Sequence, residues 1–388
     1  RLEGTMESSN AGVQVVGLSD LDGDGMDEVL VSATTVGTDG LNKNGEIYFF
    51  RGSSLAGQTA GGSLSLAEAD ASFTGTSGFQ WLGGAFADLG DVDGDDIPDL
   101  YIGSTGKGTR VTSGGVTYLV TGQTLLDSSG TSQIDDVFTS AVHGIDERGY
   151  LGSRLAGPGD MNGDGLADMV IGAPLLNDAG SESGTVFINA GPTSGEFDVD
   201  GSSAALVGAG AGDQLGSSVS PAGDVDGDGY ADLWIGAESS DEGVANGGAA
   251  YLIYGAADWA ALTGTGAELA ATAVYGMETD AGIGGAIAGD GDFNGDGVFD
   301  LLVGQSEAGS SGEGAAWLFL GPFEGTTNTD DARARLDGDE PGDHVATSVD
   351  FSPSLSGGDT DWLVIGAWQD DENGSDAGAI FLMSSLDE

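Results

Sequence analysis

A nine-residue acidic loop is repeated five times along this chain, at 20–28, 91–99, 160–168, 224–232 and 292–300. Positions 1, 3, 5 and 9 of every copy are Asp, Asn or Glu, and each copy runs directly into a short apolar segment. Position 6 is glycine in four copies, which suits a tight turn with a positive φ. The exception, Asp96, is a residue type that tolerates such a φ. Loops repeated at this spacing restrict the chain to a repeat architecture.

The composition of the loop is that of a cation-binding site. Calcium takes six to eight oxygen ligands at about 2.3–2.6 Å, and closely spaced carboxylates on a turn supply them. One Asp-Gly cluster also makes an ordinary turn, but five copies at a regular spacing favour metal binding. The side chain at position 7 varies freely, so we expect its backbone carbonyl to bind. We predict five calcium ions, bound by Asp20, Asp22, Asp24, Met26, Glu28, Asp91, Asp93, Asp95, Ile97, Asp99, Asp160, Asn162, Asp164, Leu166, Asp168, Asp224, Asp226, Asp228, Tyr230, Asp232, Asp292, Asn294, Asp296, Val298 and Asp300.

An EF-hand is the main alternative for this pattern, and the sequence argues against it. An EF-hand loop requires helical flanks and a glutamate at its twelfth position. The flanks here have the short, β-branched character of strands. Position 12 is apolar in all five copies, as Val31, Ile102, Ile171, Ile235 and Val303.

A glycine that ends a short apolar segment marks the same period. In the first five repeats this glycine stands 16 residues before the first loop residue, and the markers are Gly4, Gly75, Gly144, Gly208, Gly276 and Gly338. Six repeats therefore begin near residues 1, 71, 141, 205, 273 and 334. The sixth lacks a cation loop, because Pro353, Leu355 and Gly357 stand where ligands are expected. We predict a single domain over residues 1–388.

Each repeat has the pattern of β-strands. Short β-branched or aromatic runs bounded by glycine, such as 232–236 and 251–254, favour strands over helices. The marker segment, the strand before the loop and two strands after it give four strands per repeat. Four-stranded units repeated around an axis form a β-propeller, so we predict an all-β propeller with six blades. The long connections at 53–70, 122–137 and 256–271 are predicted to be surface insertions.

The two chain ends suggest how such a ring closes. The chain begins with a marker segment, residues 1–4, and ends after a third strand at 380–383 that lacks an outer partner. We predict that these two segments pair, so that the N- and C-terminal strands share the sixth blade and leave no open edge.

The third repeat carries a more specific pattern. Residues 150–153 read Tyr-Leu-Gly-Ser before its loop, and residues 170–174 read Val-Ile-Gly-Ala-Pro after it. This sequence resembles an FG-GAP repeat, the repeat of the integrin α-subunit propeller and of many bacterial surface proteins, and the likeness extends over all six repeats. Only the third repeat has the full Gly-Ala-Pro. Integrin propellers have seven blades, so seven blades are the alternative to six.

The resemblance implies a function as well as a fold. It implies an extracellular or cell-surface propeller with structural calcium ions on the face opposite a protein or glycan ligand. We therefore predict a binding or adhesion module and no enzyme activity. A self-associating structural subunit of a surface layer or filament is one alternative. An accessory domain of a secreted hydrolase is another, because FG-GAP propellers accompany a catalytic domain in glycosylphosphatidylinositol-specific phospholipase D.

The charge of the chain limits its partners. There are 64 acidic residues against 9 basic ones, a formal net charge of −55. Such a surface disfavours nucleic acid and anionic membranes, and no apolar run approaches the roughly 18 residues of a membrane span. We expect no nucleic-acid binding and no membrane insertion. Cysteine is absent, so there is no disulfide framework.

Four of the basic residues lie in connections that strand alternation places at the end opposite the acidic loops. The resemblance makes this end the ligand face, so we predict a cationic spot for an anionic ligand, formed by Lys43, Lys107, Arg110 and Arg148. Local charge balancing is the alternative. The two histidines, His143 and His344, stand in different repeats, and we predict no catalytic role for either.

Overall fold

The glycine-bounded apolar runs form strands, and the fold is all-β, as predicted. A computed structural model describes residues 2–4, 9–38, 40–56, 62–309, 311–352, 360–370 and 378–384. The strands assemble into a six-bladed β-propeller with four-stranded blades, and fifth strands extend several of the blades. No helix within these ranges is long and apolar enough to cross a membrane.

Within the described ranges, each of the first five repeats contributes five strands and the sixth contributes four. In chain order the strands are β1 Leu2–Glu3, β2 Ala11–Leu18, β3 Glu28–Ala33, β4 Glu46–Phe50, β5 Leu64–Ser65, β6 Ala71–Thr74, β7 Leu82–Gly90, β8 Asp99–Ser104, β9 Val116–Val120, β10 Gly130–Gln133, β11 Ser140–His143, β12 Arg154–Gly159, β13 Asp168–Ala173, β14 Thr185–Asn189, β15 Gly195–Asp198, β16 Ala204–Val207, β17 Leu215–Gly223, β18 Asp232–Ala237, β19 Ala249–Ile253, β20 Gly264–Thr265, β21 Thr272–Tyr275, β22 Ala286–Gly291, β23 Asp300–Gln305, β24 Ala315–Phe319, β25 Gly325–Asn328, β26 Ala334–Asp337, β27 Val345–Ser352, β28 Trp362–Ala367 and β29 Ala379–Met383.

Helices are few and short. The α-helices are α1 Gly52–Ala56, α2 Gly122–Asp127 and α3 Gly266–Leu269. Short 3-10 helices span Leu66–Glu68, Ile134–Asp136, Val199–Gly201, Trp259–Leu262 and Thr329–Asp331.

Strands from two successive repeats build each of the first five sheets. In the first sheet β2, β3 and β4 pair antiparallel, β6 of the next repeat joins antiparallel, and β10 joins parallel at the edge. The sheet orders are β10-β6-β4-β3-β2, β15-β11-β9-β8-β7, β12-β13-β14-β16-β20, β17-β18-β19-β21-β25, β22-β23-β24-β26 and β27-β28-β29. Neighbouring strands in a sheet alternate in direction. The acidic loop 20–28 therefore lies at one end of its sheet, and each equivalent loop lies at one end of its own sheet.

The fifth strands correct the prediction of simple surface insertions. The connection 122–137 contains α2 and the edge strand β10, whose Thr131 hydroxyl lies 2.9 Å from the Ser72 hydroxyl of β6. The side chains of β10 are polar and mostly exposed, so backbone pairing holds this strand. Its sequence therefore has no apolar alternation that would identify it.

The predicted closing pair between the two chain ends stays a prediction. The N-terminal strand β1 pairs parallel with β5, with Leu2 opposite Leu64 and Glu3 opposite Ser65. This pairing repeats the β6–β10 arrangement, and Leu2 packs on the cluster that contains Leu64 and Leu66. In the described strands, β29 pairs with β28 in a three-stranded sheet.

The chain divides into two compact units. The first comprises 1–157, 165–171 and 188–203, and the second comprises 158–164, 172–187 and 204–388. In the first unit β7 packs across β2, β3 and β4 over a core that includes the buried Phe49 and Phe73. In the second, β22 packs across β17 and β18, and Trp234 and Trp317 are buried. That residues 1–388 form one domain stays a prediction.

Candidate metal centres

The first acid of each loop organises the turn by accepting backbone N–H groups. In the loop 224–232, the Asp224 carboxylate accepts from Gly227 at 2.8 Å, Asp228 at 3.0 Å and Gly229 at 3.0 Å. Bonds of the same kind recur in the loops 20–28, 91–99 and 292–300. Asp96 takes the position-6 role with a φ of 67°, as the sequence predicts.

The last acid of each loop is buried and joins two segments. Asp232 is fully buried, and it accepts the N–H of Val225 at 2.8 Å and the N–H of Gly255, just beyond β19, at 2.9 Å. Asp99 and Asp300 do the same in their own sheets. The position-9 acid therefore fixes its own loop to the next connection at the same end of the sheet, with or without a cation.

Three loops bring the acids at positions 1, 3 and 9 together. One carboxylate oxygen from each of the three acids lies within 4.8 Å of the others, in the groups Asp20-Asp22-Glu28, Asp91-Asp93-Asp99 and Asp224-Asp226-Asp232. Two oxygens on one calcium ion, each at about 2.3–2.6 Å, lie at most about 5 Å apart. The spacing and the all-oxygen donor set therefore fit a hard divalent cation.

The acid at position 5 has a local role in four of the loops. The Oδ1 atom of Asp228 accepts the N–H of Tyr230 at 3.0 Å, and Asp24, Asp95 and Asp296 accept from their position-7 residues in the same way. These acids are not members of the three close groups. Their predicted ligation stays a prediction.

Two of the loops, 160–168 and 292–300, have asparagine at position 3 in place of aspartate. In the loop 292–300 the Asn294 amide donates to Asp296 at 2.9 Å. The loop 160–168 is divided between the units. Asp160, Asn162 and Asp164 belong to the second, and Leu166 and Asp168 belong to the first, where Asp168 accepts the Gly191 N–H at 3.2 Å.

Burial changes the acidity of the position-9 carboxylates. It raises the pKa of Asp99, Asp232 and Asp300 to about 6 each, and the neighbouring loop carboxylates add to the shift while the backbone N–H bonds oppose it. Burial also raises the pKa of Glu28 and of Asp93. A divalent cation would offset this concentration of negative charge.

The sixth repeat lacks the position-9 acid. The strand after the loop begins with Glu28, Asp99, Asp168, Asp232 or Asp300 in the first five repeats, but β28 begins with Trp362. Residues 353–359 of the loop predicted to be empty lie outside the described residues, so that prediction stays open.

The chain is similar to known repeat proteins. A family model for the FG-GAP repeat matches residues 152–188 and 215–253. The chain carries FG-GAP repeats. It is 30% identical over 260 residues to integrin alpha pat-2 of Caenorhabditis briggsae. The aligned residues cover 64% of this chain and 19% of that protein. The chain is 32% identical over 157 residues to integrin alpha-PS2 of Drosophila melanogaster, covering 39% and 11%.

A further relative of the FG-GAP repeats is an enzyme. Phosphatidylinositol-glycan-specific phospholipase D of Dictyostelium discoideum is 27% identical over 179 residues, which cover 44% of this chain and 18% of that protein. The chain thus spans less than a fifth of the length of each of these relatives.

The FG-GAP glycines are explained by close backbone packing between neighbouring blades. Gly236 occupies the first position of the Gly-Ala-Pro element, and a Cβ there would stand 1.9 Å from the carbonyl oxygen of Gly284. Gly284 is the glycine of the Phe-Gly element in the next repeat. Gly103 and Gly152 form the same contact in the first unit, at 2.1 Å. A side chain at either element would separate the blades.

The four predicted cationic residues lie at the opposite end of the FG-GAP blades. Two of them, Lys107 and Arg110, already form ion pairs within the protein. Lys107 is 7% exposed and its ammonium contacts Asp135 at 2.5 Å and the Tyr118 hydroxyl. Arg110 pairs with Asp198 of β15 at 2.7 Å. Lys43 and Arg148 are exposed. Any cationic ligand contact therefore rests mainly on Lys43 and Arg148.

The buried histidine has a structural role beside Arg110. His143 Nδ1 lies 2.7 Å from the Thr109 hydroxyl, and Nε2 lies 3.1 Å from Glu196 of β15. Burial lowers its pKa, and the Arg110 charge lowers it further while Glu196 opposes the shift. The contacts join three segments of the first unit, and fasten the edge strand β15 to its sheet.

Exposed apolar side chains in the same connections were not predicted from the sequence. Phe79 is 54% exposed and lies between β6 and β7, and Ile145 is 38% exposed and follows β11. Phe79 has a φ of 58°, and its N–H donates to the Asn42 carbonyl at 2.7 Å. The signal that could have found Phe79 is an aromatic residue in a polar, glycine-containing loop.

Proposed function

We propose that this chain is an extracellular binding module whose fold is stabilised by calcium. The observation that carries the proposal is the repeated convergence of three carboxylates at one end of the blades. The opposite connections present cationic and apolar side chains. The similarity to integrin α subunits supports this reading, although the chain corresponds to less than a fifth of their length.

Calcium is the cation that the loops suit best. All predicted ligands are oxygens, and three of them are carboxylates within one close group. The ion would stabilise the folded state by RT ln(1 + [L]/Kd), about 2.7 kcal/mol per site at a 100-fold excess over Kd. We expect chelation with EDTA to lower the melting temperature, most strongly at low salt. An unchanged melting curve would contradict a structural role for calcium.

The ligand surface that we propose lies at the end opposite the acidic loops, in the first unit. Lys43 and Phe79 belong to adjacent connections, because the Trp81 N–H donates to the Lys43 carbonyl at 3.2 Å. Arg148 is fixed to another connection in the same manner, because its backbone N–H donates to the Thr112 carbonyl over 3.0 Å. Exposed aromatic and cationic groups fit a protein or glycan ligand that carries an acidic group.

A glycan array and a pull-down from extracellular matrix extract, both in calcium, test this surface. We expect Phe79→Ser and Lys43→Ala to reduce binding while leaving the melting temperature unchanged, because both side chains are exposed. Gln123→Ala, an exposed change in α2 at the metal end, serves as the matched control. If the control reduces binding and the first two variants do not, the ligand surface is at the other end.

An accessory role beside a hydrolase is the second candidate. It is favoured by the similarity to phosphatidylinositol-glycan-specific phospholipase D. The purified chain is expected to have no phospholipase activity of its own. Hydrolysis of a glycosylphosphatidylinositol-anchored substrate by this chain alone would overturn the binding-module proposal.

A further inference from the structure

Neighbouring acidic loops are joined by a backbone hydrogen bond that the sequence did not suggest. In the second unit, the N–H of Ala231, at position 8 of its loop, donates to the carbonyl of Asp160, at position 1 of the preceding loop, over 2.8 Å. In the first unit the N–H of Ala167 donates to the Asp91 carbonyl over 3.1 Å. We call this contact the position-8 bond.

The position-8 bond acts on a predicted cation ligand. The carbonyl of Tyr230 and the N–H of Ala231 belong to one peptide unit, which is planar and rigid. The carbonyl at position 7 is the predicted backbone ligand, so the N–H at the other end of that unit fixes its direction. A hydrogen bond at the N–H also polarises the carbonyl, because bonds in a chain strengthen one another.

Two more contacts tie the same pair of loops. A Cβ on Gly163 would stand 2.5 Å from Cε1 of the Tyr230 ring, so the ring covers position 4 of the preceding loop. The N–H of Ala256 donates to the Met161 carbonyl at 2.8 Å, next to Gly255, which donates to Asp232. The loop 224–232 therefore rests on residues 160–163 through its backbone and its position-7 side chain.

The other loops show that these contacts are selective. Pro98 occupies position 8 of the loop 91–99 and has no N–H to donate. Among the described residues, no neighbour lies within 4 Å of a Cβ placed on Gly23 or Gly227, the position-4 glycines of the first and fourth loops. The backbone N–H of Asp361, just before β28, donates to the Asp292 carbonyl at 3.0 Å, although the sixth repeat has no predicted cation. The bond is thus a property of the fold and does not need a cation.

We propose that the Ala231 N–H is a positioning group for the cation of the loop 224–232, and that it couples this site to the loop 160–168. The Ala167 N–H makes the corresponding bond to the loop 91–99 within the first unit. The loop 91–99 itself, with Pro98, binds its cation without help from the loop 20–28. The inference rests on the proposed calcium binding and adds which sites respond to one another.

The variant Ala231→Pro tests the coupling, because Pro98 shows that the loop accepts proline at position 8. Calcium binding is measured by isothermal titration calorimetry, and terbium luminescence excited through tyrosine reports the sites beside Tyr230. We expect the tyrosine-reported affinity to fall about fivefold, the equivalent of one net hydrogen bond. Asp27→Pro, at position 8 of the first loop, is the control and should leave that affinity unchanged.

The outcomes separate this inference from the proposed function. If the parent protein binds calcium and Ala231→Pro binds it equally well at the tyrosine-reported sites, the coupling is refuted and calcium binding stands. If the parent binds no calcium, both proposals fail. Should Ala231→Pro not fold, Pro98→Ala restores an N–H and should tighten one calcium site by a similar factor. An unchanged isotherm for that variant would also refute the coupling.

Discussion

Replacing Asp232 with asparagine should have opposite consequences in calcium and in chelator. The carboxylate of Asp232 is both a predicted cation ligand and the acceptor for the Val225 and Gly255 N–H groups. Asparagine keeps one of the two oxygens and removes the charge. The substitution therefore separates the metal role of this residue from its structural role.

The environment of Asp232 sets the expected change in the free energy of unfolding. Burial raises the Asp232 pKa from 3.8 to about 6, and at about 1.4 kcal/mol per pKa unit the buried charge costs the metal-free fold roughly 3 kcal/mol at neutral pH. Asparagine removes that cost, but it leaves one buried N–H unpaired, at about 1–3 kcal/mol. In chelator the two effects nearly cancel. In calcium the variant loses one site, about 2.7 kcal/mol at a 100-fold excess over Kd.

The free energy of unfolding should be measured by urea denaturation at pH 7.5, in EDTA and in millimolar calcium. The expected loss is about 3 kcal/mol larger in calcium than in EDTA. Asp213→Asn is the matched control, because Asp213 is 6% exposed and accepts the Gly210 N–H at 2.6 Å, but belongs to no candidate cation group. Equal losses for Asp232→Asn in both conditions would refute the metal role.

Three further predictions concern acidity, a buried ion pair and blade packing. Calcium affinity, measured by calorimetry, should fall from pH 7 to pH 5, because the position-9 aspartates with a pKa of about 6 take up protons there. In chelator the same groups should raise stability over that interval, since their folded pKa exceeds the unfolded value and the penalty disappears as the pH falls through 6. Lys107→Met should cost about 1–3 kcal/mol in chemical denaturation, because it leaves Asp135 without its cation; a wild-type midpoint would contradict this. Gly236→Ala should cost about 1–3 kcal/mol by forcing a Cβ against the Gly284 carbonyl, and a melting temperature equal to the parent's would show that the blades can separate freely.

The repeated loop could be interpreted from sequence because its acids act within nine residues. Local turn chemistry places positions 1, 3 and 9 together whatever the rest of the chain does, and the structure confirms that convergence in three loops. The strand pattern was equally local. The side chain at position 7 was treated as free to vary, whereas Tyr230 and Leu166 each contact a glycine of the preceding loop. That contact depends on packing between repeats, which spacing alone does not reveal.

Burial and edge pairing were the features that sequence reasoning missed. Lys107 is predicted on the ligand face because it lies in a connection opposite the acidic loops, yet the aligned positions Val36, Leu176 and Ala308 are all buried. Comparing the repeats column by column would have identified this lysine as a core residue with a partner. The pairing of β1 with β5 was missed because both strands are two residues long and are defined by backbone bonds.

The number of calcium ions bound per chain is the most direct test of whether the five acidic loops are calcium sites. Metal-free protein is equilibrated with calcium, and the bound ion is counted by calorimetry and by elemental analysis after dialysis. We predict five ions, one for each acidic loop, and a melting temperature that rises as they bind. A protein that binds no calcium and melts identically in EDTA would contradict this prediction.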